Sequence, residues 1–235
     1  MKIAVCSDLH LEFGDLFLKN DEGAEVLILS GDILVAADIG RPDPHNIMEG
    51  ARSNRIRDFM SRCSFQFPHV VYVMGNHEHY NGDFATTATR IRDMLAEFPN
   101  IHFLDRDCVT IGDTTFIGGT LWTDMNNEDP LTLYHIRKMM NDFRIVTNSS
   151  RQLQRRVPLY TQDEAGKQVV DGYKFKSEAS TFSPEDAVEE HRRLVDYLRT
   201  VIDDRPDGKF VVVGHHAPSR RSTHPRYQNE QLSLI

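Results

Sequence analysis

Four short apolar runs each end in a cluster of polar side chains suited to hold metal, and this pairing restricts the chain more than any other feature. Ile3–Cys6 leads into Asp8-Leu9-His10, Val26–Leu29 into Gly31-Asp32, Val70–Met74 into Gly75-Asn76-His77-Glu78, and Phe210–Val213 into Gly214-His215-His216. The runs are continuous and rich in Val and Ile, as strands covered on both faces should be. Helical patterns lie between them at Arg52–Arg62 and Phe84–Phe98, the second with Ile91, Leu95 and Phe98 at helical spacing. Alternating strands and helices predict a layered α/β domain. In such sheets ligands bind outside the carboxyl ends of the strands, where all four clusters lie.

A second group of strands is expected at Ile101–Leu104, Cys108–Ile111 and Thr115–Gly119, with Gly112-Asp113 as a tight hairpin. Ser183-Pro184-Glu185-Asp186 has the form of a helix start, with Ser183 as N-cap and Pro184 in the first turn. The helix it opens carries an apolar stripe of Val188, His191, Leu194, Val195, Leu198 and Ile202. The stretch of about 147–180 is polar and rich in Gln and Arg, and reads as an insertion or lid on a single domain spanning 1–235. Its Arg151, Arg155 and Arg156 could reach a phosphate or lie on a solvated loop.

A chain of 235 residues, 40% of them hydrophobic, can bury one substantial core. Its net charge of −8 argues against a broad basic surface that grips nucleic acid through many phosphates. A nucleic-acid partner is therefore the lesser reading, while a nucleotide-like substrate stays compatible, because bound metals reverse the local sign. Three sparse cysteines, Cys6, Cys63 and Cys108, imply no disulfide framework. The first apolar stretch is too short for a signal peptide and no run approaches a membrane span, so a cytoplasmic protein with no membrane partner is expected. Oligomeric state stays open.

The ligand chemistry follows from residue type. The spacing of Asp8 and His10 lets both side chains leave an extended backbone on the same side, so that a carboxylate and an imidazole can share one ion. Gly31 permits a sharp exit from its strand, and Asp32 can bridge two cations with its two oxygens. Asn76 reads either as an uncommon ligand or as the cap of a turn.

Taken in order from Asp8 to Ser219, Asp-x-His, Gly-Asp, Gly-Asn-His-Glu and Gly-His-His-Ala-Pro-Ser resemble the calcineurin-like metallophosphoesterase family, which shares its fold with the purple acid phosphatases. The resemblance implies an α/β four-layer sandwich of two mixed β-sheets flanked by helices. It implies two divalent metal ions, manganese, iron or zinc, one held by Asp8, His10 and Asp32 and the other by Asp32, Asn76 and His215. It further implies hydrolysis of phosphomonoesters or phosphodiesters by a metal-bridging water or hydroxide. His77 would stabilise or protonate the leaving oxygen, or support the ligands by hydrogen bonding. Glu78 and Asp38 are the candidates to orient it.

The same resemblance makes His215, not His216, the ligand of the last cluster. It leaves His45, His69, His79, His102, His135, His191 and His224 without a metal role. Arg220, Arg221 and Arg226 could contact a phosphodiester or form a solvated tail. Family members finish with a Gly-His-x-His motif that gives one ligand to each metal, and this sequence reaches Ile235 without it. The C-terminal part of the fold is thus expected to be missing, through truncation, completion by another chain, or a site that works with fewer ligands. Retained ligands favour a metal-dependent phosphoesterase; the absent motif keeps a protein-binding scaffold of the same fold as the alternative.

Overall fold

The computed structural model describes residues 1–40, 47–222 and 224–227. Strands β1 (Ile3–Cys6), β2 (Val26–Ser30), β3 (His69–Val73) and β4 (Ile101–Leu104) form one sheet in that order, all parallel. Strands β5 (Asp107–Ile111) and β6 (Thr114–Gly118) pair antiparallel across the expected turn, where Gly112 has a φ of +61°. Strands β7 (Thr147–Gln162) and β8 (Gln168–Thr181) make a separate two-stranded ribbon. Strand β9 (Lys209–Val213) returns to lie parallel to β6, so the mixed character expected of both sheets belongs only to the second.

The residues of β2 and β3 are apolar without alternation because both faces are covered. Leu27, Leu29, Val70 and Tyr72 pack against Ile56, Phe59 and Met60 of α1 (Ile47–Gln66) and Ile91 and Leu95 of α2 (Phe84–Leu95). From the opposite face, Val26, Ile28, Val71 and Val73 meet Ile111, Phe116 and Val213 of the second sheet. A last helix lies over the outer face of β6. The order helix, sheet, sheet, helix is the four-layer sandwich that the sequence led us to expect.

Strand β1 departs from expectation. It pairs with β2 alone, and as an edge strand it leaves Val5 64% exposed instead of buried on both faces. Two helices that the sequence pattern does not announce, α3 (Pro130–Met139) and α4 (Asp142–Ile145), join a satellite core of Trp122, Ile136, Phe143, Phe182 and Val188. That core braces the rim carrying the candidate ligands. All three cysteines are free. Among the described residues no helix is long and apolar enough to cross a membrane.

The clearest helix start is built as the sequence predicts. In α5 (Pro184–Asp203), Ser183 Oγ accepts from the Asp186 amide at 3.2 Å while the Asp186 carboxylate accepts from the Ser183 amide at 2.9 Å. Asp186 also receives Asn148 Nδ2 at 3.3 Å and Arg151 Nε at 2.7 Å, so this helix start anchors the base of the β7–β8 ribbon. The ribbon itself is the polar stretch read as an insertion or lid. Neither of its faces is covered along most of its length, which is why no apolar alternation marks its strands. Ser183→Ala should lower the stability of the chain by about 1 kcal/mol, read as a reduced urea midpoint at unchanged slope.

Candidate metal centre

The turns after β1 and β2 are laid side by side. Asp8 N donates to Gly31 O at 3.1 Å, His10 N to Asp32 O at 3.0 Å and Leu11 N to Ile33 O at 2.9 Å. Asp8, His10 and Asp32 have φ of 56°, 48° and 55°. This left-handed region is unfavourable for residues with a Cβ, and backbone held there is held by its surroundings. Asp8 and His10 therefore do not leave an extended strand, as their spacing suggests. Strand β1 stops at Cys6, and a left-handed turn aims the two side chains. Close approach of the turns also explains Gly31, with φ of +83°: a Cβ there would lie 2.5 Å from His215 Nδ1 and 2.7 Å from Gly75 N.

Glu78 ties these turns together. Fully buried, its carboxylate accepts from Asp32 N at 3.0 Å, Ile33 N at 2.8 Å, Gly75 N at 2.7 Å and Tyr72 Oη at 2.8 Å. Burial, then the nearby Asp32 charge, push its pKa up, and the donors pull against that rise. Glu78 is thus committed to backbone and does not orient His77. Asp38 does not either, since it faces Arg52 at 3.3 Å.

Around Asp32, itself 4% exposed, the candidate ligands gather. Oxygen and nitrogen atoms of Asp8, Asp32 and His215 lie within 4.8 Å of one another, and those of His10, Glu12 and His77 form a second such group. His10 Nε2 and His77 Nε2 each stand 3.9 Å from Asp32 Oδ2. Asp8 thus lies with Asp32 and His215 in the first group, and His10 with Glu12 and His77 in the second. His215 Nδ1 is 2.8 Å from Ser30 O, which leaves Nε2 to face Asp32 Oδ1 at 3.5 Å. Asn76 Nδ2 donates to Tyr80 Oη at 3.3 Å, and its amide oxygen is the end left to meet a cation. Among the described residues no Lys or Arg pairs with Asp8 or Asp32. A nearly buried carboxylate whose partners among the described residues are imidazoles fits divalent cations of intermediate softness.

The electrostatics agree with that fit. Burial opposes a charged His215, yet the Asp32 carboxylate outweighs it and lifts the pKa to about 9. Burial likewise opposes charge on His77, and Glu12 and Asp32 together raise its pKa. Asp32 and Glu12 are held below the usual carboxylate range despite their burial, Asp32 chiefly by His215 and Glu12 chiefly by His77. Protons here occupy the place that cations would take.

Glu12 is the functional candidate that the sequence reading missed. Its Oε1 lies 3.1 Å from His10 Nδ1 and 3.3 Å from His77 Nδ1, so one carboxylate orients a ligand and the catalytic candidate together. No strand period places Glu12 there, since residues 7–13 run through turns and not through an extended strand. Tyr80 stacks on His77 with ring centres 4.0 Å apart and donates to Asp142 Oδ2 at 3.1 Å. No sequence spacing points to Asp142, which arrives from α4 and is 1% exposed.

The remaining described histidines are engaged by other groups, His216 while abutting His215 with ring centres 5.0 Å apart. His216 stacks on Trp122, lies 3.2 Å from Thr120 O, and has its pKa brought down to about 4 by burial and by His215. His79 is buried between Phe84 and Trp122, with burial lowering its pKa to about 3. His69 and His102 face each other at 3.3 Å, and His191 Nδ1 lies 2.8 Å from Leu121 O. His224 accepts from Arg226 N at 3.2 Å. His45 and the side chain of Arg220 lie outside the described residues. Arg151 is engaged by Asp186 and Arg155 by Glu178 at 3.7 Å, while Arg156 covers the Tyr173 ring at 3.6 Å.

Comparison with known proteins places this geometry. The family model for calcineurin-like phosphoesterases matches residues 1–233. The uncharacterized protein L509 of Acanthamoeba polyphaga mimivirus is 29% identical over an alignment of 160 residues, with 60% of this chain and 50% of that protein covered. The chain thus spans half the length of this curated relative. The crystal structure of a phosphopantetheinyl hydrolase from Mycobacterium tuberculosis superposes with a TM-score of 0.57 at 15% identity, covering 99% of this chain and 74% of that one, a likeness of fold.

Because His215 must lose its proton to bind a cation, manganese affinity should rise with pH, roughly tenfold per unit between about pH 7 and 9, then level off. Isothermal titration in two buffers of different ionisation enthalpy would report the released proton. The metal-free chain should conversely lose stability as pH rises through about 9, since a raised histidine pKa stabilises the fold only while the ring is charged.

Proposed function

The chain belongs to the calcineurin-like phosphoesterase family, and on that premise we propose that it hydrolyses phosphate esters with two divalent ions held by Asp8, His10, Asp32, Asn76 and His215. The observation that carries this reading is the convergence of side chains from three other strand ends on Asp32, with no Lys or Arg among the described residues to neutralise it. Bound there, two cations supply Lewis acidity toward phosphate oxygens and acidify water. The mixed oxygen and nitrogen donors suit manganese, iron or zinc.

The chain's own residues supply the rest. His77 keeps Nδ1 toward Glu12 and so presents Nε2 to the ligand cluster, where it can give a proton to a leaving oxygen. Glu12 holds that ring in orientation, and Tyr80 fixes it from the side. Phe13, 83% exposed with its ring 5.9 Å from that of His10, offers a flat apolar surface beside the reacting groups. That surface favours small phosphodiesters or monoesters whose alcohol part carries an aromatic ring or a nucleobase.

Manganese-supported hydrolysis of bis-p-nitrophenyl phosphate tests the reading. His77→Ala should lower kcat by about 10²- to 10⁴-fold with metal still bound. Asp32→Ala should abolish both turnover and metal uptake. Equal background rates in the parent chain and both variants would leave the scaffold reading in its place. Phe13→Ala should raise KM for aromatic esters about tenfold at nearly unchanged kcat, as loss of binding common to ground and transition state does.

A further inference from the structure

The β7–β8 ribbon is the one large element that neither the fold nor the phosphoesterase reading uses. Among the described residues it holds 7 of 17 exposed large hydrophobics: Leu153, Leu159, Tyr160, Val169, Val170, Tyr173 and Phe175. The hydrogen bonds and ion pairs that fix it to the body all start from its base, within Thr147–Arg151. Thr147 and Ser149 hold Gly82 and Asp83, and Asn148 and Arg151 hold Asp186. Beyond that base, an unsupported two-stranded ribbon is marginal in water and gains stability by packing a face.

Register separates its two faces, since residues directly opposite in an antiparallel pair share a side. Arg156 opposes Phe175, Pro158 opposes Tyr173 and Tyr160 opposes Val170, giving an aromatic face on which Arg156 already lies over Tyr173. On the other side Arg155 opposes Lys176 and Val157 opposes Lys174, with Glu178 paired to Arg155 and Lys176. The stacking surface and most of the cationic track therefore point in opposite directions, with Arg156 alone among these basic residues on the aromatic side. A single nucleic-acid strand needs both on one side and cannot use them together.

We propose that this ribbon is an arm through which two copies of the chain associate, packing aromatic face on aromatic face in antiparallel sense about Pro158 and Tyr173. Two features favour a second copy. In that arrangement the positions two residues toward the base meet those two residues toward the tip, so each Arg156 faces the partner's Tyr160 and no like charges overlap. Strands of this length span ~50 Å, and a ribbon ~10 Å wide offers ~500 Å² on one face. Two such faces bury ~1,000 Å², which is about the least that a specific interface needs. The arm's six basic and four acidic residues between 147 and 181 leave little charge to oppose the contact.

Sedimentation velocity and light scattering on the full chain test the arm. The expected result is a species of twice 27.0 kDa at micromolar concentration. A double variant, Tyr173→Ser with Phe175→Ser, should weaken it at least ~100-fold, while thermal unfolding of the body and manganese binding stay as they were. Pro158→Cys should form a disulfide-linked dimer under mild oxidation, which the parent chain with its three native thiols should not. A parent chain that stays monomeric at about 100 µM overturns the proposal, whether or not it captures a labelled single-stranded oligonucleotide. So does a dimer that survives both the double serine variant and shortening of the arm to its base.

Discussion

Glu78 accepts from the backbone of Asp32, Ile33 and Gly75 and from the hydroxyl of Tyr72 without any exposed surface of its own. A carboxylate in that position is tolerable only because donors surround it, and the donors are satisfied only because it is there. The turns after β2 and β3 are consequently fixed against each other by hydrogen bonds to one buried carboxylate, in addition to the packing of Ile33, Leu34 and Met74 in the core. Asp32 inherits its place from this arrangement, and every candidate ligand is positioned relative to Asp32. The strained backbone of Asp8, His10 and Asp32 depends on the same support, since left-handed residues persist only where their surroundings over-determine them.

Support also flows outward through polar chains. Glu12 serves His10 and His77 at once, and Tyr80 joins His77, Asn76 and Asp142. These links join the two imidazoles and the ring beside them into one hydrogen-bonded and stacked unit. They also carry the influence of the satellite core around Trp122 and Phe182 to the rim, because Asp142 stands on the helix that this core holds.

Much of this was legible in the sequence. Continuous Val and Ile runs announced β2 and β3 because both of their faces are covered, and the polar clusters after them marked the rim. Ser183, Pro184 and Asp186 announced α5 because a capping box is local chemistry. What could not be read depends on tertiary geometry. Asp8 and His10 look like neighbours on a strand, yet their aim comes from a left-handed turn pinned to Gly31 and Asp32. Glu78 looked like a partner for His77 and is spent on backbone amides that only the folded turns bring near. The β7–β8 ribbon hid because alternation appears only where a face is buried.

The last ligand cluster hangs on contacts that reach far along the chain. Ser30 Oγ donates to Gly214 O, and His215 Nδ1 lies 2.8 Å from Ser30 O, across sequence separations of 184 and 185 residues. Three of the four candidate ligand turns lie within the first 78 residues, but the fourth reaches the rim only when β9 docks beside β6. Long-range closures of this kind come late in folding. The candidate centre is therefore assembled in full only when β9 has found its place beside β6, and a chain with that strand undocked carries an open, acidic half-site without His215.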